Sequence, residues 1–97
     1  MQKKFIFAVL GAIVLANTNA TAQAVFDMTM ITCKQYLASD RDRQDIMASW
    51  FSGYFNAARN NSVLDTSRFE RNKATVTSYC KRNGAETLMS AIQRNAR

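Results

Sequence analysis

Histidine and proline are absent from the 97 residues, cysteine occurs twice and glycine three times. Each shortage excludes something. Without histidine there is no Ser-His-Asp or Cys-His catalysis, no imidazole metal site and no side chain that ordinarily titrates near neutrality. Two cysteines so far apart, Cys33 and Cys80, make no zinc finger, haem attachment or paired-Cys redox motif. The lack of proline, with only Gly53 and Gly84 beyond Gly11, argues against a turn-rich β fold. Asp40, Asp42 and Asp45 cluster, but the glycine and closing glutamate of a Ca²⁺ loop are missing, so they read as helix-capping residues. No nucleophile elbow is present either. The expectation is a chain that is not an enzyme and holds no metal or cofactor.

What is present begins with a targeting pattern. Met1-Gln2-Lys3-Lys4 is a short positive segment, Phe5 to Ala16 is apolar apart from Gly11, and Asn17 to Ala24 carries small residues with two A-x-A sites. This is the pattern of a cleavable signal peptide over residues 1–24, with cleavage after Ala24 or alternatively Ala22. The apolar run is shorter than the roughly 20 residues of a membrane-spanning helix. The expected destination is the periplasm of a Gram-negative bacterium. Removing residues 1–24 leaves 73 residues, with 11 basic and 7 acidic side chains and a net charge of +4.

A single domain over residues 25–97 is small enough that its core is marginal without help. In an oxidising compartment an even pair of cysteines normally closes, and a Cys33–Cys80 disulfide would supply that help. The alternative, two reactive free thiols, lacks a neighbouring cysteine or histidine for either residue.

The rest of the chain reads as an all-α bundle of three or four short helices with one disulfide. Thr32-Cys33-Lys34-Gln35 is a capping box opening a helix to about Ala38. A second helix starts at Asp40 to Asp42 and runs to about Asn60. It carries Ile46, Met47, Trp50, Phe51, Tyr54 and Phe55 as two adjacent i, i+4, i+8 rows, one broad apolar stripe. Gly53, inside this helix, suggests a close approach by another helix or a second copy. Ser67-Arg68-Phe69-Glu70 reads as a second capping box, starting a third helix with Phe69, Lys73, Val76 and Cys80 on its inner side. Gly84 fits the left-handed position after that helix. A last helix is expected from Glu86 to about Arg94, with Leu88, Ile92 and Met89 or Ala85 facing inward.

The aromatic stripe is most simply core, though its load for a short chain places some of it at a dimer interface or on a client-binding surface. The basic residues Arg68, Arg71, Lys73, Lys81 and Arg82 read as a solvated face, with peripheral contact to anionic lipid or an acidic partner as the functional reading. Nucleic acid is not an expected partner of an exported chain lacking a groove-binding motif.

Thr32-Cys33-x-x-Tyr36-Leu37, Ser49-Trp50 in the central helix, the Val63-Leu64-Asp65 link and Tyr79-Cys80-Lys81-Arg82-Asn83 together resemble the HdeA/HdeB family of periplasmic acid-stress chaperones. The resemblance runs from about Met30 to Arg94, and Y-C-K-R-N is nearer the HdeB branch. It implies a homodimer near neutral pH that loosens in acid, exposes apolar surface to acid-unfolded periplasmic proteins and releases them on neutralisation. Without histidine, the pH sensors would be Asp27, Asp40, Asp42, Asp45, Asp65, Glu70, Glu86 and the C-terminus. Protonating the seven side chains takes the mature charge from +4 to +11, and self-repulsion then favours dissociation. The rival reading is a small disulfide-stapled immunity or inhibitor protein that binds one specific partner.

Overall fold

The computed structural model describes residues 24–97, so the signal-peptide reading lies outside the described residues except for Ala24. Four helices follow one another: α1 (Cys33–Ala38), α2 (Arg41–Ala58), α3 (Thr66–Arg82) and α4 (Leu88–Asn95). No strand occurs among the described residues. The expected all-α bundle with one disulfide is what forms.

Each helix start has a side-chain cap. In α1 the capping box is complete: Gln35 N–H donates to Thr32 Oγ1 at 3.1 Å, and Thr32 N–H donates to Gln35 Oε1 at 2.9 Å. Asp40 accepts from Arg43 N–H at 2.8 Å and caps α2. Asp65 accepts from Arg68 N–H at 2.9 Å and caps α3. The expected Ser67–Glu70 box therefore does not form; the aspartate two residues earlier takes the first-turn amide, and the helix begins at Thr66. Thr87 accepts from Ser90 N–H at 3.2 Å and caps α4, which places Glu86 just outside the helix rather than at its start.

Two helix ends also differ from expectation. The second helix stops at Ala58, and Asn60 turns the chain away with φ of 58°, a left-handed conformation that asparagine tolerates. Gly84 has no positive φ. Its role is contact: its carbonyl accepts from Lys34 N–H at 3.0 Å, and a Cβ there would lie 3.7 Å from that of Lys34.

A six-residue helix has no independent stability in water, and α1 is held at both ends by other elements. Cys33 N–H donates to Glu86 C=O at 2.8 Å and Lys34 N–H to Gly84 C=O, so two orphan first-turn donors are satisfied by the turn before α4. Leu88 N–H returns a bond to Ile31 C=O at 2.8 Å, completing a short antiparallel bridge between Thr32 and Thr87. At the other end Gln44 Nε2 donates to the carbonyls of Tyr36 at 3.0 Å and Ser39 at 3.1 Å, fixing the corner between α1 and α2. The Cys33–Cys80 disulfide, Cα–Cα 4.9 Å, then joins α1 to α3.

Around this junction lies the core: Ile31, Cys33, Tyr36, Met47, Phe51, Val76, Cys80, Leu88 and Ala91. Leu37, Phe55, Tyr79, Met89 and Ile92 pack against it. Ala85, expected among the inward residues, is exposed, because the helix starts after it; Ala91 takes the buried position instead. No charged or polar residue is buried among the described residues.

Opening the bridge tests how far this junction depends on it. The loop spans 47 residues. The chain-entropy relation assigns such a crosslink about 4 kcal/mol, against a total of about 5 kcal/mol or somewhat more for a domain of this size. Cys33→Ser is expected to lose most of its helical circular dichroism at neutral pH and 37 °C. A variant that stays fully helical with an unchanged urea midpoint would contradict this role.

Candidate functional site

The broad stripe of α2 splits into two rows with different fates. Met47, Phe51 and Phe55 form the inner row, with Met47 and Phe51 fully buried and Phe55 packed on the core. Ile46, Trp50 and Tyr54 form the outer row, and they are not core: their exposures are 68%, 44% and 49%. The cause is geometric. Both rows repeat every fourth residue, but α2 is covered on one side only, so the neighbouring row is left facing out.

The two rows are locked by their rings. Trp50 stacks on Tyr54 with centroids 5.1 Å apart, and Phe51 stacks on Phe55 at 6.1 Å. Trp50 meets Phe51 edge-on at 5.1 Å, and Tyr54 meets Phe55 edge-on at 5.2 Å. Such pairs contribute about 0.5–1.5 kcal/mol beyond burial. The outer row is thus a preorganised apolar ladder rather than a set of loose side chains. Gly53 lies on the exposed side of the same helix, and among the described residues nothing beyond its chain neighbours and its own helix backbone comes within 4 Å of a Cβ position. Among the described residues, the close approach expected there is absent.

The carboxylates expected to sense acid are not gathered in one place. Asp40 and Asp65 are the caps of α2 and α3 described above. Asp42 is exposed in the first turn of α2, and Glu70 is exposed on α3. Asp45 forms an ion pair with Lys73, tying α2 to α3. The carboxylate bond raises the Lys73 pKa. Lys73 therefore does not snorkel freely from the basic face; Arg68, Arg71, Lys81 and Arg82 are exposed as expected.

Glu86 is the most heavily bonded acid. Tyr79 hydroxyl donates to its Oε2 at 2.7 Å, Ser90 hydroxyl to Oε1 at 3.0 Å, and Arg94 Nε to Oε1 at 3.0 Å. The tyrosine hydrogen bond, ahead of the serine bond and the Arg94 charge, holds the Glu86 pKa below its ordinary value and correspondingly raises that of Tyr79. Its backbone carbonyl is the acceptor for Cys33 N–H, so this acid stands beside the α1–α4 stitch. The Glu86, Ser90, Arg94 spacing of four was visible in the sequence; the tyrosine from α3 was not. Asp27, ahead of α1, is also held low by the Thr29 hydroxyl and amide, at 2.7 and 3.0 Å.

Among the described residues no group of His, Cys, Asp or Glu is placed to hold a metal ion, and no helix is long and apolar enough to cross a membrane. Neither a curated protein sequence nor a solved structure matches the chain. The profile of the HdeA/HdeB family matches residues 3–90. That match spans most of the chain, including both cysteines, the Trp50 helix and Glu86, and the family is one known for periplasmic acid-stress chaperones. By this match over residues 3–90, the chain belongs to the HdeA/HdeB family.

Proposed function

We propose that the protein is a periplasmic acid-stress chaperone, exported by residues 1–24, folded near neutral pH and opened by acid to hold unfolding proteins in solution. The family match over residues 3–90 carries this reading. The outer row Ile46, Trp50 and Tyr54 supplies its surface: an apolar ladder already at the protein's exterior. In a homodimer near neutral pH a second copy covers that row, with Gly53 giving a helix close access. In acid the row and, behind it, the Met47, Phe51 and Phe55 row are offered to clients.

The direction of the pH response follows from the shifted groups. Glu86 has a depressed folded pKa, so its stabilisation is present above the unfolded value and is lost as pH falls through the folded value. Asp27 acts with the same sign from an exposed position. Lys73 has a raised pKa, so its contribution persists below the unfolded lysine value and is lost only in alkali as pH rises through the folded value. Protonation of all seven acids also raises the mature charge from +4 to +11, which drives copies apart and keeps client complexes soluble.

The Glu86 arm is checked by Tyr79→Phe. Removing the hydroxyl takes away the largest cause of the depressed pKa, so the Glu86 carboxyl, followed by NMR, should titrate at a higher pH than in the wild type. The acid unfolding transition should move upward with it. A Glu86→Gln variant should be less stable at pH 7 yet show a smaller fall in melting temperature between pH 7 and pH 3. Identical pH profiles for all three proteins would remove Glu86 from the response.

The chaperone reading is tested by aggregation of a mixed periplasmic extract at pH 2 to 4, with and without the mature protein. Suppression of many unrelated clients is expected; protection against one toxin alone would instead establish the immunity-protein alternative. Trp50→Ala separates surface from fold, because the half-exposed Trp50 carries about 1–3 kcal/mol of ring contact in its two aromatic pairs, whereas Phe51→Ala empties a core position at about 3–5 kcal/mol. Trp50→Ala should therefore stay helical at pH 7, shift from dimer towards monomer in sedimentation, and suppress aggregation less in acid. Wild-type levels of suppression by Trp50→Ala would place the client surface elsewhere.

A further inference from the structure

We infer that Asn83-Gly84 is a covalent modification site: a deamidation point that the fold holds shut, that unfolding exposes, and whose product weakens the α1–α4 junction. It is the chain's single Asn-Gly pair and lies in the connection from α3 to α4. The reaction needs only water. The Gly84 backbone nitrogen attacks Asn83 Cγ, the Cγ–Nδ2 bond breaks, and ammonia leaves with the proton given up by the Gly84 N–H. Water then opens the resulting succinimide at either carbonyl, which leaves an aspartyl or an isoaspartyl residue at position 83. Glycine at the attacking position leaves that nitrogen unhindered by a Cβ. The fold itself accepts alanine here: Gly84 has no positive φ, and a Cβ would make an ordinary contact, 3.7 Å from that of Lys34.

Ring closure requires Asn83 Cβ and Gly84 N to eclipse each other about the Asn83 Cα–C bond. In the folded protein Asn83 ψ is 53°, which in an L-residue sets Gly84 N almost opposite Cβ, the arrangement farthest from closure. The side chain is held as well: Nδ2, the nitrogen that must leave, donates to Tyr79 C=O at 2.9 Å. The backbone on either side is fixed by Asn83 N–H to Cys80 C=O at 3.1 Å, Glu86 N–H to Asn83 C=O at 3.1 Å and Lys34 N–H to Gly84 C=O at 3.0 Å. Turning ψ by nearly half a circle breaks the bonds to the Asn83 and Gly84 carbonyls, so the reaction must wait for local opening. Once formed, the product does not fit. A carboxylate only accepts hydrogen bonds, so at position 83 it faces the Tyr79 carbonyl without a donor, and its charge stands at the negative end of the α3 dipole. The isoaspartyl form routes the main chain through Cβ. It adds one backbone atom between Cys80 and the Gly84 and Glu86 carbonyls that accept from Lys34 and Cys33.

The test incubates the oxidised mature protein at pH 7.4 and 37 °C, folded and in guanidinium chloride. Position 83 is followed by peptide mass mapping, with labelling by an isoaspartate-specific methyltransferase as the second readout. In denaturant, position 83 should react ahead of every other asparagine. The folded protein should react there at least about tenfold more slowly, since only its locally opened fraction is competent. Gly84→Ala should keep the wild-type helical circular dichroism and, in denaturant, should form the product about tenfold more slowly or less, because a Cβ then crowds the attacking nitrogen. The isoaspartyl protein, separated by chromatography and returned to buffer, should have a lower urea midpoint than unreacted protein carried through the same steps. Several results would overturn the proposal: equal rates in the folded and denatured protein, another asparagine reacting first, product formation in denaturant unchanged by Gly84→Ala, or an unaltered urea midpoint. All arms are run at neutral pH, so they stand or fall separately from chaperone activity in acid.

Discussion

Everything in this fold leans on one junction, where the Cys33–Cys80 bridge, the Cys33 N–H bond to Glu86 and the reciprocal Leu88 bond to Ile31 meet within a few residues. The reason is the shortness of α1. Six residues cannot persist as a helix on their own propensity. Yet α1 supplies Cys33 and Tyr36 to the core, and Ile31 stands just before it. The crosslink makes the contact between α1 and α3 permanent, and the backbone bonds give α1 the acceptors its first turn lacks. Gln44 then closes its other end. Without the junction, the long helices α2 and α3 would be joined chiefly by the Asp45–Lys73 ion pair and the Val63–Leu64 connection. A partly exposed pair of that kind contributes at most about 1 kcal/mol.

Much of this was legible because it is local. The capping box at Thr32 and Gln35, the aspartate ahead of α2, the period of the α2 stripe and the inward position of Cys80 are all fixed by residues within one or two turns of each other. The misreadings share a cause: two local signals competed and only geometry could choose. Asp65 and Ser67 are both good cap residues, and the chain used the first. Gly84 carries a stop signal for α3, but the close passage of Lys34 sets its role instead. What could not be read is tertiary. Nothing in the α2 sequence says which of two equivalent rows meets α1 and which faces water. Nor does the spacing of Tyr79 and Glu86 reveal that a turn brings hydroxyl and carboxylate within 2.7 Å.

The distribution of polar groups is compatible with the proposed opening in acid. No acidic or basic side chain is buried among the described residues, so no buried charge has to be neutralised in acid. On the proposed acid response, the contacts that weaken are those of Glu86 with Tyr79, Ser90 and Arg94. These lie between helices or beside the stitch, where their loss loosens the packing of one element on another. The core rows and the disulfide do not titrate in acid. A protein built this way loses its tertiary fit while the crosslink continues to restrict how far the chain expands.

That restriction bears on reversibility, which the proposed holding activity requires. An unfolded chain of this length must recover the meeting of α1 with α3 against loop-closure entropy before the local helices gain their packing. With Cys33 and Cys80 joined, that contact is never given up, and the steps left on neutralisation are short-range: deprotonating the rim acids, reforming capped helices and closing the aromatic ladder over the core. The same bridge also limits what acid can expose. Residues beside it remain near each other at any pH, and α2, which lies inside the Cys33–Cys80 loop, is tied to the bridge through both of its ends. Of the four helices α4 alone follows Cys80 and lies outside that loop, so the junction holds it by the backbone bonds of Cys33, Lys34 and Leu88 rather than by the crosslink.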